Sequence, residues 1–507
     1  MVDFEMTRRD FLSRLAGPAV LPVATISCGQ GSGGSSVSQV KSPLHYASLA
    51  GVAKLIAARE LRSIDVTQQL LNRIATVDGR LRSYVTVMAD HAIASAGRAD
   101  AEIRAGRYRG PLHGVPIAVK DLCNTRGVRT MAGTKVLADF VPDFDATVVA
   151  RLEAAGAIIL GKLALCEGAY TPYFPGFQVP VNPWDATRWS GVSSSGSGVA
   201  TAAGLCFASV GTDTGGSIRY PSAANGCVGL KPTYGRVSRY GVFALAASMD
   251  HIGPMTRTVE DAAIMFEAMT GPDPHDPSSL PDPVPAVRAE LGRGIVGLLV
   301  GFDRRYATEN VDPDVAKAMD DVLAQLTRLG ANVVTVTMPD VSKVGSAWLD
   351  LCAVEALAAN ARTFPSRASE YGPGFRAALE YGQRVTPAAL AVAAKVRSEV
   401  CASLERILNS LDCLVCPSMA NTARVKAADP YAEITEASWS RLVRNDIYSK
   451  PFNFSGSPTL SVPCGFSVDG VPLSVQFIGP RFSEPVLCRV GHAYEEATPW
   501  HSKHPAV

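Results

Sequence analysis

Trp189-Ser-Gly-Val-Ser-Ser-Ser-Gly-Ser-Gly198 opens the stretch on which the fold turns. Gly211-Thr-Asp-Thr-Gly-Gly-Ser-Ile-Arg219 closes it. Between them, Val199 to Val210 is built from Ala and other small or apolar residues. Small side chains pack closely, so the segment predicts a helix running into a short strand inside a core. Two Gly/Ser loops held at the ends of such a segment form a pocket, not a linker.

The same alternation of helix and strand extends in both directions. Upstream, Leu49, Val52, Leu55 and Ile56 recur at helical spacing, and a second helix starts near Ser63 or Asp65. Thr76 to Val87 turns toward extended structure, and Met88 to Ala105 is helical again. Ile117 to Val119 reads as a strand ending at Lys120, Ala146 to Ala155 as a helix, and Ala157 to Leu160 as a buried strand. Downstream, Leu230 to Gly253 reads as loop, Val259 to Met269 as a helix, and Pro272 to Pro285 as irregular. Strand Ile295 to Val300, helix Asp314 to Leu329 and strand Val333 to Val336 repeat the pattern. Ala353 to Leu408 is largely helical, with a break near Tyr371 to Gly374. Strands return at Leu411 to Val415, Thr459 to Val462 and Leu473 to Phe477. The pattern predicts an α/β layered sheet with helices on both faces, and the length suits either one large domain or up to three.

Composition fits a packed globule. The chain has 507 residues, 47% hydrophobic and 19% charged, with formal net charge +1. That balance gives no charge-selected attraction to nucleic acid or a membrane surface. No run beyond the first 30 residues is long and apolar enough to span a bilayer. At the N-terminus, Thr7-Arg-Arg-Asp-Phe-Leu12 precedes a moderately apolar stretch to Ser27, the pattern of a twin-arginine export signal. Cys28 stands where a lipid anchor would attach, although Thr25-Ile26-Ser27 matches such a site poorly. A Gly/Ser tether follows. Residues 1–41 are therefore read as signal and tether, 42–507 as the catalytic domain, and the protein as exported.

Several patterns are set aside. The 11 cysteines follow no disulfide framework and read as small buried hydrophobes. Cys413-Leu-Val-Cys416 has metal-ligand spacing but no second pair. Gly29 to Gly34 lies in the tether, without the strand and helix a dinucleotide site needs. Gly156 to Lys162 mimics a phosphate loop, yet Ala-Ile-Ile-Leu is a strand and Leu163 replaces the magnesium-binding hydroxyl. No metal or cofactor is expected.

Three residues stand at positions suited to chemistry: Lys120, Ser193 and Ser217. A serine hydroxyl needs a base to become a nucleophile. The eight histidines are scattered, with only His113 and His251 near motif-like sequence. A lysine at the end of a buried strand is the alternative, because burial disfavours its charged form. Ser193 could pass a proton between Lys120 and Ser217. Gly215 and Gly216 allow the tight turn that points successive N–H groups at a developing oxyanion.

Six segments then carry a resemblance. They are Gly110-Pro-Leu-His-Gly-Val-Pro-Ile-Ala-Val-Lys-Asp121, the two loops quoted above, Gly229-Leu-Lys-Pro-Thr-Tyr-Gly-Arg236, Phe452-Asn-Phe-Ser-Gly-Ser-Pro-Thr-Leu-Ser-Val-Pro-Cys-Gly465 and Gly470-Val-Pro-Leu-Ser-Val-Gln-Phe-Ile-Gly479. In these the chain resembles the amidase signature family, from about residue 42 to the end. The resemblance implies an α/β fold, one large domain with a central mixed β-sheet covered by helices on both faces, and a Lys–Ser–Ser triad. Ser217 would be the nucleophile, Ser193 a bridging serine on a cis peptide bond, and Lys120 the general base and later acid. Thr214, Gly215, Gly216 and Ser217 would donate N–H groups to the oxyanion. An acyl-enzyme would form on Ser217, and water would be the second substrate.

Asp213 and Arg219 read as an internal ion pair shaping the nucleophile loop. Val192 and Ala164 depart from commoner family residues, and Ala164 puts substrate contacts around it in question. Tyr170, Tyr173, Phe174 and Ser194 are candidate substrate contacts, and residues about 270–450 the variable region lining the pocket. The expected activity is hydrolysis of a carboxamide C–N bond, with esters or carbamates as further substrates. The alternative is an amidotransferase-type subunit working in a multi-subunit complex.

Overall fold

The sheet that carries the site is assembled from segments far apart in sequence. The computed structural model describes residues 43–170, 172–425 and 447–507. The leader, Cys28 and the tether lie outside the described residues. His45–Val507 form one unit. Its strands are β1 (Tyr84–Val87), β2 (Pro116–Lys120), β3 (Ile158–Leu163), β4 (Ala208–Asp213), β5 (Val228–Lys231), β6 (His251–Thr256), β7 (Leu299–Phe302), β8 (Asn332–Thr335), β9 (Cys413–Pro417), β10 (Thr459–Phe466) and β11 (Pro472–Ile478). They form one 11-stranded sheet in the order β1-β3-β2-β4-β6-β5-β10-β11-β9-β7-β8.

The sheet is mixed, as the resemblance implies. β2 runs parallel to β3 and β4, and β7 parallel to β8 and β9. β4 to β6, β6 to β5 and β5 to β10 are antiparallel. Every residue of β2, β3 and β4 is buried. Side chains alternate across a strand, so this requires cover on both faces of the sheet. Lys120 lies at the C-terminal end of β2, and the loop carrying Ser217 follows β4, its parallel neighbour. Ligand sites in such sheets lie beyond the carboxyl ends of adjacent strands.

The helices follow local rules. Ser48 and Thr258 cap Leu49–Ala57 and Val259–Met269 by accepting from Gly51 N and Asp261 N. Pro313–Arg328 buries Val315, Ala318, Met319, Val322 and Leu326, one stripe at helical spacing. The central segment is helix Ser195–Ala202 followed by β4, and every residue of that helix is buried.

Three readings need correction. The helix from Ser63 runs to Leu81, so extended structure starts only at Tyr84. Leu230 to Gly253 is not all loop: β5 and β6 flank it, in the middle of the sheet. Gly253 and Pro254 in β6 hid the strand, since both discourage central strands. Gly253 is there because a Cβ would lie 2.0 Å from the Leu230 carbonyl oxygen. The strand expected at Ile295 to Val300 is instead Leu299–Phe302.

Candidate active site

Lys120 is fully buried, and its ammonium has three hydroxyl partners. Nζ donates to Ser193 Oγ at 2.7 Å, Ser194 Oγ at 2.8 Å and Thr212 Oγ1 at 2.8 Å. These exhaust its three donors. Among the described residues no carboxylate touches it. Burial therefore dominates and pulls its pKa down to about 8, against weaker opposing effects of Cys166, Cys123, Asp213 and Asp250.

The first Gly/Ser loop delivers Ser193 to this amine. The Val192–Ser193 peptide bond is cis. Gly191 has φ +82°, and a Cβ there would lie 2.3 Å from Pro221 Cα, so only glycine fits. The three consecutive serines have separate tasks. Ser193 faces the cavity and Lys120. Ser194 lies behind the lysine, and its hydroxyl donates to the Thr212 carbonyl at 3.2 Å. Ser195 accepts from the Tyr173 hydroxyl at 2.5 Å.

The second loop is held from outside. Buried Asp213 accepts from Gly216 N at 2.7 Å and Ile218 N at 3.1 Å. It also binds Arg219 Nε at 3.0 Å and Nη2 at 2.9 Å, and Asn453 Nδ2 at 2.8 Å. Burial alone would raise this carboxyl's pKa. The Arg219 charge and hydrogen bonds, with Lys231 and Asn453, outweigh it and hold Asp213 far below the carboxylate range. The expected internal ion pair is thus present, with both side chains fully buried. The loop carbonyls are each engaged: Thr214 O accepts from Trp348 Nε1 at 2.9 Å, Gly215 O from Ser449 Oγ at 2.6 Å, and Gly216 O from Tyr220 N at 2.7 Å. Among the described residues, no hydrogen bond occupies the N–H of Gly215 or Ser217. Gly216 departs from the expected set of four donors, because its N–H is engaged by Asp213.

The two loops meet where Ser194 N donates to the Ser217 carbonyl at 3.3 Å. Ser193 and half-buried Ser217 both line a cavity of about 350 Å³. Tyr170, Trp189, Trp348 and Tyr220 supply its aromatic wall, Leu245 and Met419 its aliphatic part, and Arg424 and Lys450 its charge. Such a mostly apolar pocket with a few convergent polar groups suits a small organic ligand.

Of the four candidate substrate contacts, only Tyr170 lines this cavity. Tyr173 is buried against Ser195, and Phe174 packs on Phe177 with ring centroids 4.9 Å apart. Ser194 is closed off behind Lys120. Trp348, Leu245, Arg424, Tyr448 and Lys450 were not singled out from sequence. Leu245 precedes residue 270, so the wall is not confined to the expected 270–450 region. Ala164 acts through its backbone: its carbonyl accepts from Gly196 N at 3.0 Å and its N–H donates to the Ser83 carbonyl at 2.8 Å.

The rejected patterns have structural roles. Lys162 is buried and donates to the Cys123 carbonyl and Thr130 Oγ1, both at 2.7 Å. Cys413 and Cys416 are free, buried thiols in β9. His113 lies 3.2 Å from Glu102, away from the cavity. His251 Nδ1 contacts the Met249 carbonyl at 2.6 Å, and burial pushes its pKa well down.

A family profile described as Amidase matches residues 65–488. The chain is 46% identical to a Mycobacterium tuberculosis protein assigned as amidase AmiD, over 90% of this chain and 96% of that one. It is 37% identical to a glutamyl-tRNA(Gln) amidotransferase subunit of a Geobacter species, over 88% of this chain and 96% of that one. Its fold is similar to that of native peptide amidase from Stenotrophomonas maltophilia, with TM-score 0.75 and 31% identity, covering 89% and 96% of the two chains.

Proposed function

The chain belongs to the amidase family and hydrolyses carboxamide C–N bonds, and on that premise we propose that it does so through an acyl-enzyme on Ser217, with Lys120 as base and Ser193 as relay. The observation that carries this reading is the buried Lys120 ammonium bonded to Ser193 Oγ at 2.7 Å. Its pKa of about 8 leaves a usable neutral fraction near physiological pH.

In the proposed first step, neutral Lys120 takes the Ser193 hydroxyl proton while Ser193 takes that of Ser217. Ser217 Oγ forms a bond to the carbonyl carbon. The C=O electron pair moves onto oxygen, where the N–H groups of Gly215 and Ser217, with Thr214, receive it. Collapse breaks the C–N bond, and the Lys120 proton returns through Ser193 to the departing nitrogen. Water repeats the sequence on the ester and releases the acid. Buried Lys120 and Ser193 are kept from bulk water, while half-buried Ser217 meets the substrate.

The greater identity to the assigned amidase than to the amidotransferase subunit, 46% against 37%, supports a hydrolase acting alone. A small-molecule amide is the substrate; esters and carbamates are further proposed substrates. A panel of amides, anilides, esters and carbamates, assayed on the isolated chain with Ser217→Ala as blank, tests this. Turnover surviving Ser217→Ala would refute the nucleophile.

Export through the Thr7-Arg-Arg leader is a separate proposal resting on sequence. Replacing Arg8 and Arg9 by Lys should retain the protein in the cytoplasm; unchanged fractionation would refute it. No helix among the described residues is long and apolar enough to cross a membrane.

A further inference from the structure

We infer that the amide accepted by this cavity carries a carboxylate, and that Arg424 binds it. The inference rests on the amide-hydrolase reading and names the substrate class within it. The cavity wall contains two cationic side chains, Arg424 and Lys450, and no Asp or Glu among the described residues. A cationic side chain on a cavity wall attracts a ligand group of the opposite sign.

Arg424 is set up for this role by its surroundings. Its guanidinium lies 5.2 Å over the Trp189 ring, which also lines the cavity. The backbone beneath it is pinned, since its carbonyl accepts from Trp189 N at 2.8 Å and Val425 forms an antiparallel bridge with Arg188. Stacking uses the face of the guanidinium and leaves its N–H edges in plane for a carboxylate fork. Among the described residues no acidic group pairs with Arg424. Arg188, on the facing segment, differs: it is held by Asp469 at 2.7 Å and Asp185 at 3.5 Å. Among the described residues, the arginine that faces the cavity is thus the one without an acidic partner. Lys450 lies on the same wall, with Nζ 5.3 Å over the Trp348 ring.

The substrate this describes has an apolar or aromatic body against Tyr170, Trp348 and Leu245, its carboxamide at Ser217, and a carboxylate at Arg424. A charge-assisted, bidentate pair strengthens binding by about tenfold or more.

The test uses two matched pairs of anilides, followed by aniline release. Adipic monoanilide and hexananilide differ by a carboxylate on the acyl side. N-hexanoyl-4-aminobenzoate and hexananilide differ by one on the amine side. In at least one pair, kcat/KM for the carboxylate is expected to exceed that of the neutral partner at least tenfold. Arg424→Met should collapse this ratio through KM, and Arg424→Lys should retain part of it. Neutral anilide turnover without a carboxylate preference, or a preference that survives Arg424→Met, overturns the inference and leaves the hydrolase reading standing. No Ser217-dependent turnover of any anilide or amide overturns both.

Discussion

If Lys120 is the base, its neutral fraction sets how kcat/KM depends on pH. Full burial, with no carboxylate in contact among the described residues, brings its pKa down to about 8. The neutral fraction is then about 9% at pH 7 and about 50% at pH 8, so the rate should rise roughly fivefold over that unit. Below pH 7 the slope should approach tenfold per unit, and above pH 9 the curve should flatten. The sign is fixed, because protonation removes the acceptor lone pair. The assay is kcat/KM from pH 6 to 10 with an anilide that does not titrate in this range. Lys120→Arg, which cannot lose its proton at these pH values, should abolish the rise along with most of the activity. A wild-type profile flat from pH 6 to 9 refutes Lys120 as base. A profile falling as pH rises refutes it too, and points to an acid that must stay protonated.

Three further outcomes follow from the loop that holds Ser217. Asp213→Asn leaves the buried Arg219 charge without its carboxylate and should cost about 3–5 kcal/mol in chemical denaturation; a loss under about 1 kcal/mol contradicts the bracing role. Trp348→Phe keeps an aromatic wall but removes the N–H held by the Thr214 carbonyl at 2.9 Å. It should lower kcat about three- to tenfold with KM nearly unchanged, and a change confined to KM would reduce Trp348 to a wall. Gly215→Ala places a Cβ 2.8 Å from the Trp348 ring. The peptide or the ring must shift, so kcat should fall by about 10²-fold, and wild-type kcat would show that the loop tolerates displacement.

The residues proposed to react were legible because their requirements are local. A strand-end lysine, a Gly-Ser loop and a Gly-Gly-Ser turn each carry a sequence signal, and β2 and β4 read as apolar runs. Gly216 shows the limit of that logic. A glycine in the turn was legible, but only the fold reveals that its N–H serves Asp213. Ser193, Ser194 and Ser195 are indistinguishable in sequence, yet Ser193 and Ser194 meet Lys120, Ser194 also meets the Thr212 carbonyl, and Ser195 meets Tyr173. The cavity wall was least legible. Trp189, Leu245, Trp348 and Arg424 come from four distant segments, and nothing in their local spacing marks them. β6 was hidden by Gly253 and Pro254, and the close approach of the Leu230 carbonyl that requires Gly253 appears only in the assembled sheet.

The central claim is a covalent acyl-enzyme on Ser217. Rapid quenching during turnover of a slow-deacylating anilide, followed by intact-mass and peptide mass spectrometry, tests it most directly. The predicted result is one acyl adduct on the peptide bearing Ser217, absent in Ser217→Ala and formed far more slowly in Lys120→Ala. An adduct on another residue, or turnover with no adduct in a burst-competent assay, contradicts the account.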